Sequence, residues 1–136
     1  MKTIPISIAE VELIAYRLAE KLMKFDEPIP DFNTRFPSIL ESCLITPFQK
    51  FSRKFLYTGL TKKSAVLFYL MIKNHPFKNG NKRIAMTTLL YFLYKNKKWL
   101  KVDNQELYNF AKWVAASNPK LKKETVAAIE KFVSTY

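Results

Sequence analysis

SAVLFYLMIKNHPFKNGNKRIAMTTLLYFLYK, residues 64–95, decides the fold of this chain. On each side of HPFKNG the residues are apolar around most of a helical circumference, so each flank predicts a buried central helix, not an amphipathic surface one. The first starts at Thr61 or Lys62 and runs to about Asn74; the second follows Gly80 and ends near the Lys-rich turn at Lys95 to Lys98. Working toward the N-terminus, Ser7 and Glu10 have capping-box spacing, and Ile8, Val11, Ile14, Ala15, Leu18 and Leu22 recur at helical spacing until Phe25. The proline-rich EPIPDFNTRFP must then be a loop. Pro37 and Ser38 can open a short helix through Cys43, and Thr46-Pro47 offers a further cap, while Ile45 to Gly59 has no clear assignment. Toward the C-terminus, Asp103 and Glu106 predict a capping box for a helix to about Ala116, and Asn118-Pro119 precedes a last amphipathic helix from Leu121 to Val133. The expected fold is all-α, a compact bundle of about six or seven helices over residues 1–136 as one domain.

Composition agrees with that class. At 49% apolar and 15% aromatic residues the chain is too hydrophobic for disorder, and its long periodic segments lack the turn spacing of an all-β protein. Cys43 is the only cysteine, so no internal disulfide forms and a reducing compartment is allowed. The start MKTIPISIAEVEL has no basic stretch followed by an apolar core, and the longest apolar run, Ala65 to Ile72, is too short to span a bilayer; the expectation is a cytoplasmic protein with no membrane partner.

The formal charge of +12 implies acidic partners, whether a nucleotide, a nucleic acid or an acidic protein. The charge is also uneven. From Ser42 to Val102 there is no Asp or Glu, yet this stretch holds 13 of the 23 Lys and Arg. At the average frequency of this chain it should hold roughly five carboxylates.

Within that stretch the joint His75 to Arg83 contains the only histidine, one of two glycines and two adjacent cations. Gly80 lets the backbone approach a ligand, and the first N–H groups of the following helix, near Asn81, Lys82 and Arg83, present a positive dipole end to an anion. Lys82 and Arg83 add full charges where the dipole disfavours them, which a purely structural helix would avoid. Phosphate chemistry fits this geometry. Pro76 and Phe77 read as scaffolding, with the ring in the core and the imidazole facing outward. A lone histidine near a helix end is also commonly a cap, and a Lys-Arg pair is commonly solvated, so the residues alone leave site and punctuation both open.

HPFKNGNKR resembles the signature of the Fic/Doc family, approximately H-x-F-x-[D/E]-[G/A]-N-[G/K]-R, with eight of the nine positions compatible. The family's loop likewise lies between two apolar helices. Fic enzymes proper usually read G-N-G-R-x-x-R and transfer AMP to a protein hydroxyl; here Lys82 stands in place of that glycine and Met86 in place of the second arginine. Those changes resemble the Doc branch, the death-on-curing toxins, whose prototype phosphorylates a threonine of translation elongation factor Tu and arrests translation. The resemblance implies ATP as donor, His75 as the general base for the target hydroxyl, Gly80 and Asn81 as the anion-binding turn, and Lys82 and Arg83 as the groups that neutralise phosphate charge. Imidazole suits that task because its ordinary titration range lies close to neutral pH.

One position departs from the signature. Where the family generally places the acid that binds Mg²⁺, this chain has Asn79, a hard oxygen ligand without charge. Three outcomes follow: an active kinase with a weak metal site, an altered transferase, or a degenerate enzyme that only binds. The inhibitory [S/T]-x-x-x-E-[G/N] motif of Fic-type proteins is not found, so restraint is expected in trans from an antitoxin with an acidic segment. The segment Thr46 to Gly59 corresponds by analogy to a flap over the substrate groove.

The competing class is a module that binds nucleic acid through its lysines, including KNKKWLK at Lys95 to Lys101, where Trp99 could stack on a base. Core packing is the expectation for Trp99, as it is for Tyr91, Phe92, Tyr94, Tyr108 and Trp113, which recur at helix-face spacing.

Overall fold

The structure, a computed structural model, describes residues 2–22 and 28–136, and it is all-α apart from one small hairpin. The Ser7 capping box forms as expected: Glu10 N–H donates to Ser7 Oγ at 3.1 Å and Ser7 N–H to Glu10 Oε1 at 3.0 Å. It opens α1 (Ile8–Glu10), which passes through a π-helical stretch (Val11–Ala15) into α2 (Tyr16–Leu22). The Thr87 hydroxyl donates to the Ala15 carbonyl at 2.7 Å, and a side chain entering the helical ladder in this way is a recognised cause of such local widening. The expected helix end at Phe25 lies outside the described residues, as does the side chain of Leu22.

After a 3₁₀ turn (Phe32–Thr34), α3 (Pro37–Ile45) begins with proline at its first position, where the missing N–H has no helical partner to lose. It runs past Cys43 and leads through Thr46–Phe48 to a hairpin of β1 (Lys50–Phe51) and β2 (Lys54–Phe55), in register Lys50 to Phe55 and Phe51 to Lys54. Its turn residues Ser52 and Arg53 both have positive φ, as a two-residue hairpin turn requires, but without the Asn-Gly that would have announced it.

Helix α4 (Gly59–Lys73) is the centre of the molecule, with every residue from Lys63 to Ile72 buried. It packs against α5 (Asn81–Lys95), α6 (Asn104–Ala116), α7 (Lys122–Thr135) and α3. The all-round apolar pattern therefore has the consequence expected of it: a helix surrounded by others needs no polar face. Asp103 caps α6 by accepting from the N–H groups of Gln105 and Glu106, but the reciprocal half of the expected box is missing. The Glu106 carboxylate accepts instead from the Tyr136 hydroxyl, tying α6 to the end of α7.

Three aromatic expectations fail. Phe92 and Tyr108 are buried and Tyr91 is half-buried, but Trp99 is 68% exposed, Tyr94 62% and Trp113 51%. Trp113 is the outermost ring of a stack on Phe110, which stacks in turn on Phe132 at 4.1 Å. Tyr94 lies on an exposed face of α5, and Trp99 stands outside because α5 ends in a reversal. Lys97 takes φ +67, its N–H donates to the Tyr94 carbonyl, and the Lys98 N–H donates to the Leu93 carbonyl. This pair of bonds is a Schellman cap with lysine where glycine is usual, and it returns Trp99 to the side of Tyr94 and away from the core.

The candidate active site

The nine-residue joint emerges between the end of α4 and the start of α5, on the protein surface but rooted in the core. Phe77 is fully buried and packs against Tyr16 at 6.4 Å and Phe32 at 5.8 Å between ring centroids. That anchor leaves His75 exposed, with φ +49. A left-handed conformation at a residue other than glycine costs on the order of 1–3 kcal/mol and persists only where its surroundings impose it.

Asn81 supplies much of that imposition. Its Oδ1 accepts from the Phe77 N–H at 2.9 Å and its Nδ2 donates to the Phe77 carbonyl at 2.8 Å. The two bonds fix which end of the carboxamide is which, and Nδ2 also lies 3.4 Å from His75 Nδ1. The ring is thereby positioned through Nδ1, leaving Nε2 as the nitrogen not engaged by Asn81. The Asn81 side chain, which belongs to the turn expected to bind the anion, shapes the loop through these bonds.

Gly80 is the N-cap of α5 at φ +72, and a Cβ there would lie 3.0 Å from Ile29 Cγ1. Both the backbone angle and the close approach call for glycine. The first intrahelical bond of α5 runs from Ile84 N–H to the Gly80 carbonyl at 2.9 Å, so the N–H groups of Asn81 and Lys82 precede the helical ladder. Lys82 is half-buried and Arg83 is buried, with its Nη2 3.6 Å from the Cβ position at Gly80. Thus one helix end gathers backbone donors, a lysine, a guanidinium and, across a short loop, an imidazole. Asn79 and Lys78 are exposed beside them.

The proline-rich segment before α3, expected only as a loop, forms a wall of this site. Ile29 meets Gly80, Phe32 packs on Phe77, and the Phe36 N–H donates to the Pro76 carbonyl at 2.8 Å. The Tyr16 hydroxyl donates to the Pro30 carbonyl; burial, with Glu20 and Asp31 nearby, pushes that phenol up, so it remains a donor. Arg35 lies in the same wall, its guanidinium 4.3 Å from the centre of the Phe32 ring. It adds a cation that the motif did not announce; its only signal was an arginine within a proline-rich loop.

The expected flap is the β1–β2 hairpin, and its anchors lie elsewhere. Lys63, buried near the start of α4, donates to the Tyr57 carbonyl at 2.6 Å and lies 4.0 Å from the centre of the Phe55 ring; burial lowers its pKa. About 15 Å of helix, at 1.5 Å per residue, separate that clamp from the end of α4 at Lys73, so the hairpin is held at the opposite end of α4 from the motif loop. Cys43 is buried, which pushes its thiol up to about 12 and removes it from nucleophilic chemistry.

Among the described residues no group of three or more His, Cys, Asp or Glu side chains could hold a metal ion. Asn79 brings one neutral oxygen, so the described residues do not by themselves fit a Mg²⁺ site. Also among the described residues, no helix is long and apolar enough to cross a membrane.

The profile described as the Fic/DOC family matches residues 5–93, well over half of the 136 residues and the whole of the motif loop, α4 and all but the last two residues of α5. No curated protein and no solved structure matches the chain.

Proposed function

The chain belongs to the Fic/Doc family, whose members are typically nucleotide-transferring enzymes, and from that premise we propose that it is a Doc-branch toxin that phosphorylates a protein hydroxyl. The observation that carries this reading is the presentation of His75: an exposed imidazole in a left-handed conformation, steadied by Asn81, beside the cationic first turn of α5. In the reaction, His75 takes the proton of the target hydroxyl, and the freed oxygen forms a bond to the γ-phosphorus of ATP. The bond from that phosphorus to the bridging oxygen breaks and ADP leaves. Lys82 and Arg83 offset the phosphate charge, and the backbone donors led by Gly80 orient the oxygens, the help that phosphoryl transfer chiefly needs.

Phosphate transfer is favoured over AMP transfer by the position where AMP-transferring relatives carry a second arginine. Here Met86 fills it, fully buried in the core, and supplies no charge to an α-phosphate. Mg²⁺ would enter with the nucleotide, held mainly by its phosphates, with Asn79 as one hard ligand. By resemblance the target is a translation factor, elongation factor Tu, and the setting is the cytoplasm. Restraint by an acidic antitoxin rests on the family resemblance together with the +12 charge, and a pull-down from native cells that yields no small acidic protein would remove that part of the proposal.

The test is transfer into lysate from ATP labelled at the γ or, separately, the α position. The expected result is incorporation of the γ label alone, reduced by about 10²-fold to 10⁴-fold in His75→Ala. Incorporation of the α label alone would establish AMP transfer instead, because the γ-phosphate then leaves with pyrophosphate. Incorporation of neither by folded protein with Mg²⁺ present would reduce the molecule to a binding role.

A further inference from the structure

At the end of α5 away from His75, Tyr94 and Trp99 stand largely exposed, their ring centroids 6.0 Å apart and nearly perpendicular. With Lys95, Lys97 and Lys98 they line a depression of about 460 Å³. Lys95 and Lys97 also border a second depression of about 230 Å³, which continues between the N-terminal segment and the start of α4 to Lys2 and Gly59. The two form one track with aromatic faces at one end and cations along it. Lys95 is already paired with Glu10 at 2.5 Å, so the available charge comes from Lys2, Lys97 and Lys98. Every residue of the aromatic pair and these three lysines lies outside residues 5–93, the part of the chain that the family profile matches.

We infer that this track is a binding site for a single-stranded nucleic acid, separate from the transferase site. Single-strand sites combine a cationic groove that follows the backbone with rings on which bases stack, and both parts are present here. The pI of about 9.8 and the absence of any Asp or Glu between Ser42 and Val102 give the complementary charge. A concave track suits a strand, whereas a bilayer is met by a protruding apolar face. Lys97 adds an independent indication, because a lysine occupies a left-handed cap position where glycine would relieve strain. Helix α5, with 15 residues, separates the track from the His75 loop by about 22 Å, so a bound strand leaves that loop uncovered.

The experiment is fluorescence anisotropy with labelled oligouridylate and oligothymidylate of about 12 nucleotides, a length in the range such sites occupy. Saturable binding is expected, weakening steeply as salt rises from about 50 to about 200 mM. Trp99→Ala should weaken it about tenfold or more, and Trp99→Phe, which keeps a stacking face, should retain most of it. Lys97→Gly should lower the affinity and the salt slope by about one contact while raising Tm, so that misfolding cannot account for the loss. Binding of either oligonucleotide supports the site, whichever is preferred. The inference is overturned by absence of saturable binding, by binding indifferent to Trp99→Ala, or by capture of phosphatidylserine vesicles or polyglutamate in place of the oligonucleotides. None of these readouts depends on phosphate transfer, so the proposed kinase activity stands or falls separately.

Discussion

The two ends of α5 are both crowded with cations, and they obey opposite electrostatics. At the start, Lys82 and Arg83 sit where the helix dipole is already positive; at the end, Lys95, Lys97 and Lys98 sit where it is negative. Each end also holds a residue other than glycine in a left-handed conformation, His75 at φ +49 and Lys97 at φ +67. Charge at the second end stabilises the helix and by itself indicates nothing more. Charge at the first end is disfavoured by the helix dipole, and a bound anion there would offset that cost. The comparison separates a cluster that local stability explains from one that it does not. Only the exposed rings and the strained lysine give the far end a further meaning.

The largest effect expected from breaking the contrast is at Asn81. Asn81→Ala removes the carboxamide that holds the Phe77 N–H and carbonyl and positions His75. Leaving those two buried groups without partners should cost about 1–3 kcal/mol in thermal or urea unfolding. Loss of the ring's placement should lower transfer by about 10²-fold, the scale associated with misplacing a reacting group by about an ångström. A variant that unfolds earlier yet transfers phosphate at the original rate would show that Asn81 shapes the loop without serving the chemistry.

The sequence disclosed these regions unequally, for physical reasons. The burial of α4 and α5 was legible because apolar residues around a whole helical circumference allow no solvent-facing solution. The motif residues were legible as a spacing, since His75, Gly80, Lys82 and Arg83 all lie on one loop and one helical turn. Ile29, Phe32 and Phe36 were not, because they reach Gly80, Phe77 and Pro76 across some 40 to 50 residues without any local period. The hairpin was hidden by its Ser52-Arg53 turn, which takes the backbone conformation of Asn-Gly without its composition. Tyr94 and Trp113 have helix-face spacing, but spacing cannot tell which face the rest of the chain will cover. Trp99 depended on a reversal at Lys97 that glycine, not lysine, would have signalled.

A smaller effect gives the sharper test, because the two ends of α5 should respond with opposite sign to the same chemical change. Lys82→Gln removes a cation from the positive end of the dipole and should stabilise the protein by about 0.3–1 kcal/mol, while phosphate transfer falls. Lys98→Gln removes one from the negative end and should destabilise by a similar amount, with transfer unchanged. Paired urea titrations at low salt measure both, and the difference should shrink as salt is added because dipole interactions at exposed termini are screened. Loss of stability in both variants would mean that Lys82 makes a local contact outweighing the dipole, and the argument that its position opposes folding would no longer hold. Opposite signs, with activity lost only at Lys82, would show that Lys82 gives up folding stability in favour of a bound anion.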